Sequence, residues 1–223
     1  MPLLRPALLL LAVTSCTSLE GPEVDRASLG LLAGRFDSLA VRDAAGVSAA
    51  VDGEVGLTLE GSALMALSGG TRTSPLQAGI RADLGLGLTK EAAFLLALMG
   101  AEPRPPQQDS DNMIDARDGL LLSTLSAGPF VSYELVDGLR LNAGLAPALL
   151  YGSIDLSDSA GDSITGSGWG GGTVGRVGLE LVRRNRWGFG LEYQWIEGDL
   201  DLGGAGRSEL DAWRAGLTVS VGL

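Results

Sequence analysis

From Val47 to Leu223 the chain changes polarity with a period of two, in segment after segment. Side chains of a strand point alternately to opposite faces, so this period predicts strands with one apolar and one polar face. Val47, Ala49, Val51, Val55, Leu57 and Leu59 are set against Ser48, Asp52, Glu54, Thr58 and Glu60. Leu76, Ala78, Ile80, Ala82, Leu84, Leu86 and Leu88 form the apolar face of a second strand, opposite Gln77, Arg81 and Asp83. Residues 92–101, apolar on both faces, read as a third strand on length and position. Residues 120–136 and 139–154 make a hairpin about Asp137-Gly138, a strong turn signal. Residues 169–182 and 187–199 make another, and residues 210–223 complete a set of eight. Residues 17–45 carry Glu20, Glu23 and Asp25, then a weak helical spacing of Leu29, Leu32, Phe36 and Leu39. They read as a linker ending in a short amphipathic helix or irregular segment.

The connections alternate in length. Longer polar loops fall near residues 68–75, 103–118, 155–167 and 200–208, and short turns near 89–91, 137–138 and 183–186. An up-and-down sheet wired this way collects its long loops at one end and its tight turns and termini at the other. That is the layout of a transmembrane barrel, whose tilted strands need about 9–11 residues each. In lipid such a sheet must close, because an open edge would leave backbone groups without partners.

Gly190-Leu191-Glu192-Tyr193-Gln194 and the alternating C-terminal strand resemble the eight-stranded outer-membrane β-barrel superfamily of OmpA-type transmembrane domains and OmpX. By pattern and loop layout the resemblance covers residues 46–223. It implies an all-β, eight-stranded antiparallel up-and-down barrel surrounded by outer-membrane lipid, inserted by the barrel-assembly machinery and monomeric. The family's last residue is usually aromatic, where this chain has Leu223, and no room follows the barrel for a peptidoglycan-binding domain.

Under this reading the 34 glycines acquire a reason. An eight-stranded barrel is just wide enough inside for side chains, so charged groups need small neighbours. The polar face carries Glu54, Arg81, Asp83, Glu134, Arg140, Arg176, Glu180, Glu192 and Arg214, expected to pair across the lumen and plug it, because buried charges must be paired. On the other face, Tyr151, Trp169, Trp195 and Trp213 fall near the loop end and Tyr133 and Trp187 near the turn end, as two interfacial belts would. Arg183, Arg184 and Arg186 crowd one turn, either solvated or against anionic headgroups.

Residues 1–15 have one positive charge, Arg5, and an apolar run from Ala7 to Val13, the form of a signal peptide. Val13-Thr14-Ser15-Cys16 resembles the bacterial lipobox, which implies cleavage before Cys16 and its diacylation. Cys16 is the only cysteine in the chain. The alternative is ordinary cleavage nearby that discards the cysteine or leaves it free. Thr17, where an inner-membrane retention signal would have Asp, implies sorting to the outer membrane.

Composition removes other classes. A formal charge of -11 makes nucleic acid an unlikely partner, and a mean hydropathy of +0.24 does not fit acidic disorder. No histidine is present, so Ser-His-Asp and Cys-His catalysis and imidazole zinc sites are closed to it. Asp109, Asp111, Asn112, Asp115 and Asp118, and Asp155, Asp158 and Asp162, lack the spacing of a calcium loop and read as solvated. No enzyme activity, metal or cofactor is expected. The leading expectation is a lipid-anchored outer-membrane barrel with a structural or surface-interaction role and at most a very small pore. It has periplasmic termini and extracellular long loops. The alternative, a lipid-anchored lipocalin-like barrel holding an apolar ligand, turns the same apolar residues inward.

Overall fold

The computed structural model describes residues 24–42, 48–51, 55–68, 75–88, 121–157, 163–183 and 186–223. The strands are β1 (Arg26–Arg42), β2 (Ser48–Val51), β3 (Val55–Ser68), β4 (Leu76–Leu88), β5 (Leu121–Val136), β6 (Leu139–Ser157), β7 (Ser163–Val182), β8 (Trp187–Asp201) and β9 (Arg207–Gly222). Every pairing is antiparallel, and β1 pairs with β9 as well as with β3, so the sheet closes into a ring. Leu39 pairs with Val51 and, further down β1, Arg35 pairs with Val55, which keeps β2 and β3 in one register against the same strand. The two act as one stave, and the ring has eight.

One expectation is corrected here. The linker-or-helix reading of residues 17–45 gives way at Arg26, where β1 begins and enters the barrel 20 residues before the expected boundary at residue 46. Leu29, Leu31 and Ala33 face outward and Gly30, Leu32 and Gly34 inward, a two-residue period that the adjacent pair Leu31-Leu32 disguises as a helical one. Ring closure outweighs that weak local preference, because β1 supplies partners for two strand edges at once. The expected strand over residues 92–101 lies outside the described residues. With β1 present, the eight staves are complete without it.

Adding a strand before residue 48 also reverses the first two expected strands. The connection at residues 69–74 therefore lies at the same end as the turns at 137–138 and 183–186, and residues 89–120 connect strands at the other end. Both ends of the described chain meet the tight-turn end: the Leu223 amide donates to the Asp25 carbonyl, and the Gly222 amide to the Arg186 carbonyl. At Asp137-Gly138 only the glycine has positive φ, at 81°, and a bulge shifts the register between Glu134 and Val136. The turn is thus a bulged hairpin turn rather than the two-residue type with both central residues left-handed.

Membership of β1 in the wall is directly measurable. With Cys16 replaced by alanine, the cross-strand partners Leu31 and Leu217 changed to cysteine should form an intramolecular disulfide on oxidation, seen as a shift on a non-reducing gel. Leu31→Cys with Leu125→Cys should not, since Leu125 pairs with Leu84 and Leu149 on other staves.

Candidate functional site

Inside the ring, the polar face places its charged groups together. Arg81 on β4 donates from Nε to Asp83 (2.6 Å) and from Nη1 and Nη2 to the two oxygens of Glu192 on β8 (2.8 and 3.0 Å). Its Nη2 also reaches Glu60 on β3 (3.2 Å). Arg176 on β7 places Nη1 2.5 Å from the same Asp83 and donates from Nη2 to Ser126 (3.0 Å). The Gln194 amide bridges the carboxylates of Glu60 (2.7 and 2.9 Å) and Glu192 (2.8 Å). Toward the tight-turn end, Arg26 pairs with Glu180 at 2.5 Å, and the Ser220 hydroxyl donates to the other oxygen of Glu180. The Glu134 carboxylate accepts from the Gly138 amide, within its own turn. Arg214 is buried and donates to the Leu122 carbonyl at 3.2 Å, with no carboxylate in ion-pair range among the described residues.

Of the nine residues expected in the lumen, Arg81, Asp83, Arg176 and Glu192 form one connected cluster. Glu180 sits in a second one with Arg26, Arg140 and Arg214 stand outside both, Glu134 serves its turn, and Glu54 lies outside the described residues. Glu60, Gln194 and Arg26 are the members that pattern reading missed. Glu60 is only 3% exposed and accepts from two strands. Its place on the polar face beside Thr58 was the available signal. Space for these side chains comes from glycine: a Cβ on Gly188 would stand 2.5 Å from the Glu180 carboxylate, and one on Gly85 2.6 Å from the Thr124 hydroxyl.

The interior is not polar throughout. At the loop end Leu122, Leu150, Ile154, Ile196, Leu200 and Leu210 close together with Leu202 and Ala205, which the 3-10 turn at Gly203–Ala205 folds over the lumen. A Cβ on Gly168 would lie 1.8 Å from the Asp201 carbonyl, so only glycine lets that hairpin tip approach β7 this closely.

The outer surface changes character at the same level. Along β8 the outward residues run Trp187, Phe189, Leu191, Tyr193 and Trp195, then Glu197, Asp199 and Asp201. Along β9, Glu209 and Asp211 precede Trp213, Ala215, Leu217 and Val219, and Leu217 is 67% exposed. Below the Trp195–Trp213 cross-strand pair, charge is inside and apolar surface outside; above it, the arrangement is that of a water-soluble barrel. From Trp187 to Trp195 is eight residues, about 26 Å along the strand at about 3.3 Å per residue. A tilt of about 40° makes this about 20 Å, close to the apolar band of about 25 Å on membrane barrels.

Trp195 and Trp213 neighbour Tyr193, whose ring lies 6.4 and 6.2 Å from theirs, and Tyr151 packs on Trp169 at 4.9 Å. Tyr133 and Trp187 are exposed toward the tight-turn end. Cys16, Arg184 and the acidic loop residues 109–118 lie outside the described residues, and Arg183 and Arg186 are exposed. Among the described residues no three metal-ligating side chains are grouped to hold an ion, and no helix is long and apolar enough to cross a membrane. The charged clusters consist of arginines already bound to carboxylates, an arrangement that fixes strands to one another.

A closed ring with apolar residues outward and charges inward is a transmembrane β-barrel. The lipocalin-like arrangement is excluded for this span, because Leu191, Leu217 and Val219 point away from the lumen. No family model matches the chain, and no curated protein matches it. Among solved structures it is similar to Neisserial surface protein A, at 12% identity and a TM-score of 0.43, covering 88% of this chain and 97% of that one. It is similar also to Ail, the attachment invasion locus protein of Yersinia pestis (10%, 0.40, 89% and 99%). A third is the outer membrane protease OmpT of Escherichia coli (10%, 0.47, 93% and 100%).

The cluster around Arg81 sets a clear expectation. Arg81→Met would leave Asp83, Glu60 and Glu192 with much of their buried charge uncompensated, a loss of about 3–5 kcal/mol. Arg207→Ala breaks only the exposed pair with Asp199 (3.3 Å) and should cost less than about 1 kcal/mol. Urea unfolding of the detergent-folded barrel, followed by tryptophan fluorescence, measures both.

Proposed function

We propose that the chain is an outer-membrane β-barrel lipoprotein with a structural or surface-interaction role and no enzyme activity. The observation that carries this reading is the reversal of polarity at Trp195 and Trp213, which gives the barrel one lipid-sized apolar band and a charged, water-facing extension. The termini and tight turns face the periplasm and the long connections the exterior, in keeping with the shared end of Asp25, Leu223 and residues 137–138. Two barriers in series plug the lumen, the Arg81–Glu60–Glu192 cluster and the apolar seal around Leu200 and Leu202, so conduction is negligible. Outer-membrane lipid is the principal partner, the barrel-assembly machinery inserts the chain, and the barrel works as a monomer without nucleic acid or cofactor. Cys16 carries acyl chains, and the barrel is a second, independent anchor.

Accessibility along one face of β9 tests the membrane reading. With Cys16 replaced, single cysteines at positions 217 and 219 in intact membranes should react with a lipid-soluble probe and resist a water-soluble maleimide. A cysteine at position 211, on the same face above Trp213, should react with the maleimide. Equal maleimide labelling at all three positions sinks the proposal. Leu217→Arg, a charge on the lipid face, should cost roughly 2–4 kcal/mol and reduce the folded, fast-migrating form on unboiled gels. Thr218→Asn, facing the lumen, should be tolerated better.

Lipidation has its own test. A palmitate analogue supplied to growing cells should label the protein, and Cys16→Ala should abolish the label while the protein stays in the membrane fraction. Label that survives this substitution refutes the anchor and leaves the barrel reading standing.

A further inference from the structure

Beneath the central cluster, at the tight-turn end, the lumen holds a cavity of about 260 Å³ whose rim includes Asp25, Ala66 and Gln77. It is much larger than the space one water needs, and just below the roughly 300 Å³ at which ligand clefts begin, so an occupant must be small. Most charged groups on its wall are already engaged. Arg26 holds Glu180, Arg81 holds Glu192, and Asp25 accepts from the Ala66 amide. Arg140 is the exception: among the described residues it makes no ion pair or hydrogen bond, although its cross-strand neighbours are Glu134 and Glu180. Glu134 is taken by the Gly138 amide, and Glu180 by Arg26 and Ser220. The Arg140 side chain is half-buried and lines the cavity, and none of its nitrogens is closed off from it. Two neutral donors stand beside it. Gln77 and Ser132 pair across β4 and β5, and Ser132 pairs with Asn142, two residues along β6 from Arg140. Gln77, Ser132 and Arg140 thus share one face on three adjacent strands, spaced as direct and diagonal cross-strand neighbours are. Neither the Gln77 nor the Ser132 side chain has a partner among the described residues, and both are open to the cavity.

The unused groups are therefore a guanidinium, a hydroxyl and an amide, all able to donate to one anion. Deeper in the cavity the lining turns apolar, with Phe130 two residues beyond Ser132 on β5 and Leu64 on β3. An inorganic anion would use the donors and leave this apolar surface wet, whereas an organic acid uses both. We propose that this cavity binds a small monocarboxylate, its carboxylate on Arg140 with Ser132 and Gln77 donating from the side, and its short apolar tail against Phe130. A guanidinium takes a carboxylate through two parallel hydrogen bonds, which matches the unused fork, and the two oxygens retain lone pairs for the neutral donors. The ligand's single negative charge meets the one arginine of the cavity wall that no carboxylate holds. The inference rests on the folded barrel alone, and neither the acyl anchor nor the membrane location enters it.

The test uses the full chain folded in detergent micelles, with arginine and glutamine side chains labelled for NMR. Benzoate should shift the Arg140 and Gln77 side-chain signals saturably. Acetate, which has the head without the tail, should bind more weakly, and uncharged benzamide should leave the signals unmoved. Arg140→Met, followed through Gln77, should weaken benzoate binding about tenfold or more, as expected when a charge-assisted pair is lost. Phe130→Leu should weaken benzoate while leaving acetate as it was, a split that general loss of structure would not give. Arg207→Ala, outside the lumen, should change nothing. Unboiled migration like that of the parent chain shows that a variant folds. If Arg140→Met fails this check, Arg140→Lys, which keeps the charge but not the fork, should still bind more weakly. The proposal is overturned if benzoate gives no saturable shift, which would mean ordered water only, or if benzamide binds as well as benzoate. It also falls if acetate or inorganic phosphate binds as tightly as benzoate, or if the folded Arg140 variant binds benzoate unchanged.

Discussion

Within a bilayer no water is available to a backbone amide or carbonyl, and a sheet can meet that condition only by having no edge. Here the condition is met by the pairing of β1 with β9, which runs from Arg26 opposite Gly222 to Leu39 opposite Leu210. Much else depends on it. Closing with eight staves sets a lumen only as wide as side chains can fill, and that narrowness demands glycine beside charged groups such as Glu180. The same closure brings strands far apart in the chain within reach across the lumen, so that Arg81 of β4 meets Glu192 of β8 and Arg26 of β1 meets Glu180 of β7.

Charge is distributed by this geometry rather than spread evenly. Arg26, Arg81, Arg140, Arg176 and Arg214 face the lumen along with Glu60, Asp83, Glu134, Glu180 and Glu192, so the described interior is electrically balanced. The chain's excess of acid lies elsewhere, in part on the exposed extension at Glu197, Asp201, Glu209 and Asp211. A buried network of this kind does little for net stability compared with apolar packing, but a wrong partner or a shifted strand would strand a charge. One residue of slip would also turn every Leu of that strand inward and every Arg outward. Register is thus protected twice, by ion pairs within and by lipid without.

Much of this was legible in the residues. Strands β4, β5, β6, β8 and β9 follow from alternation over most of their length and from turn signals such as Asp137-Gly138, because both are local properties of a few consecutive side chains. Arg81, Asp83, Arg176 and Glu192 were identifiable as lumen residues by parity alone. β1 was not, since Leu29, Leu32 and Phe36 also fit a helix and only a distant partner decides between the two. The seal at the loop end was partly visible: Leu150, Ile154, Ile196, Leu200 and Leu210 are apolar residues on the otherwise polar parity. They made sense only once the outward carboxylates at the same level showed that the polarity of the wall reverses there.

What the sequence by itself determined is the set of faces: which residues point the same way, where strands end, and that the apolar face is too continuous for one without an apolar environment. Periodicity and turn chemistry act over a few residues, so a single chain displays them directly. Only the tertiary structure decided which strand closes the ring, at which end each connection lies, and which arginine meets which carboxylate. Those outcomes depend on pairing between segments that can be more than 100 residues apart, as Arg81 and Glu192 are, and on a lumen radius set by all eight staves together. No local pattern encodes either, because both arise from the backbone's need to leave no edge in lipid.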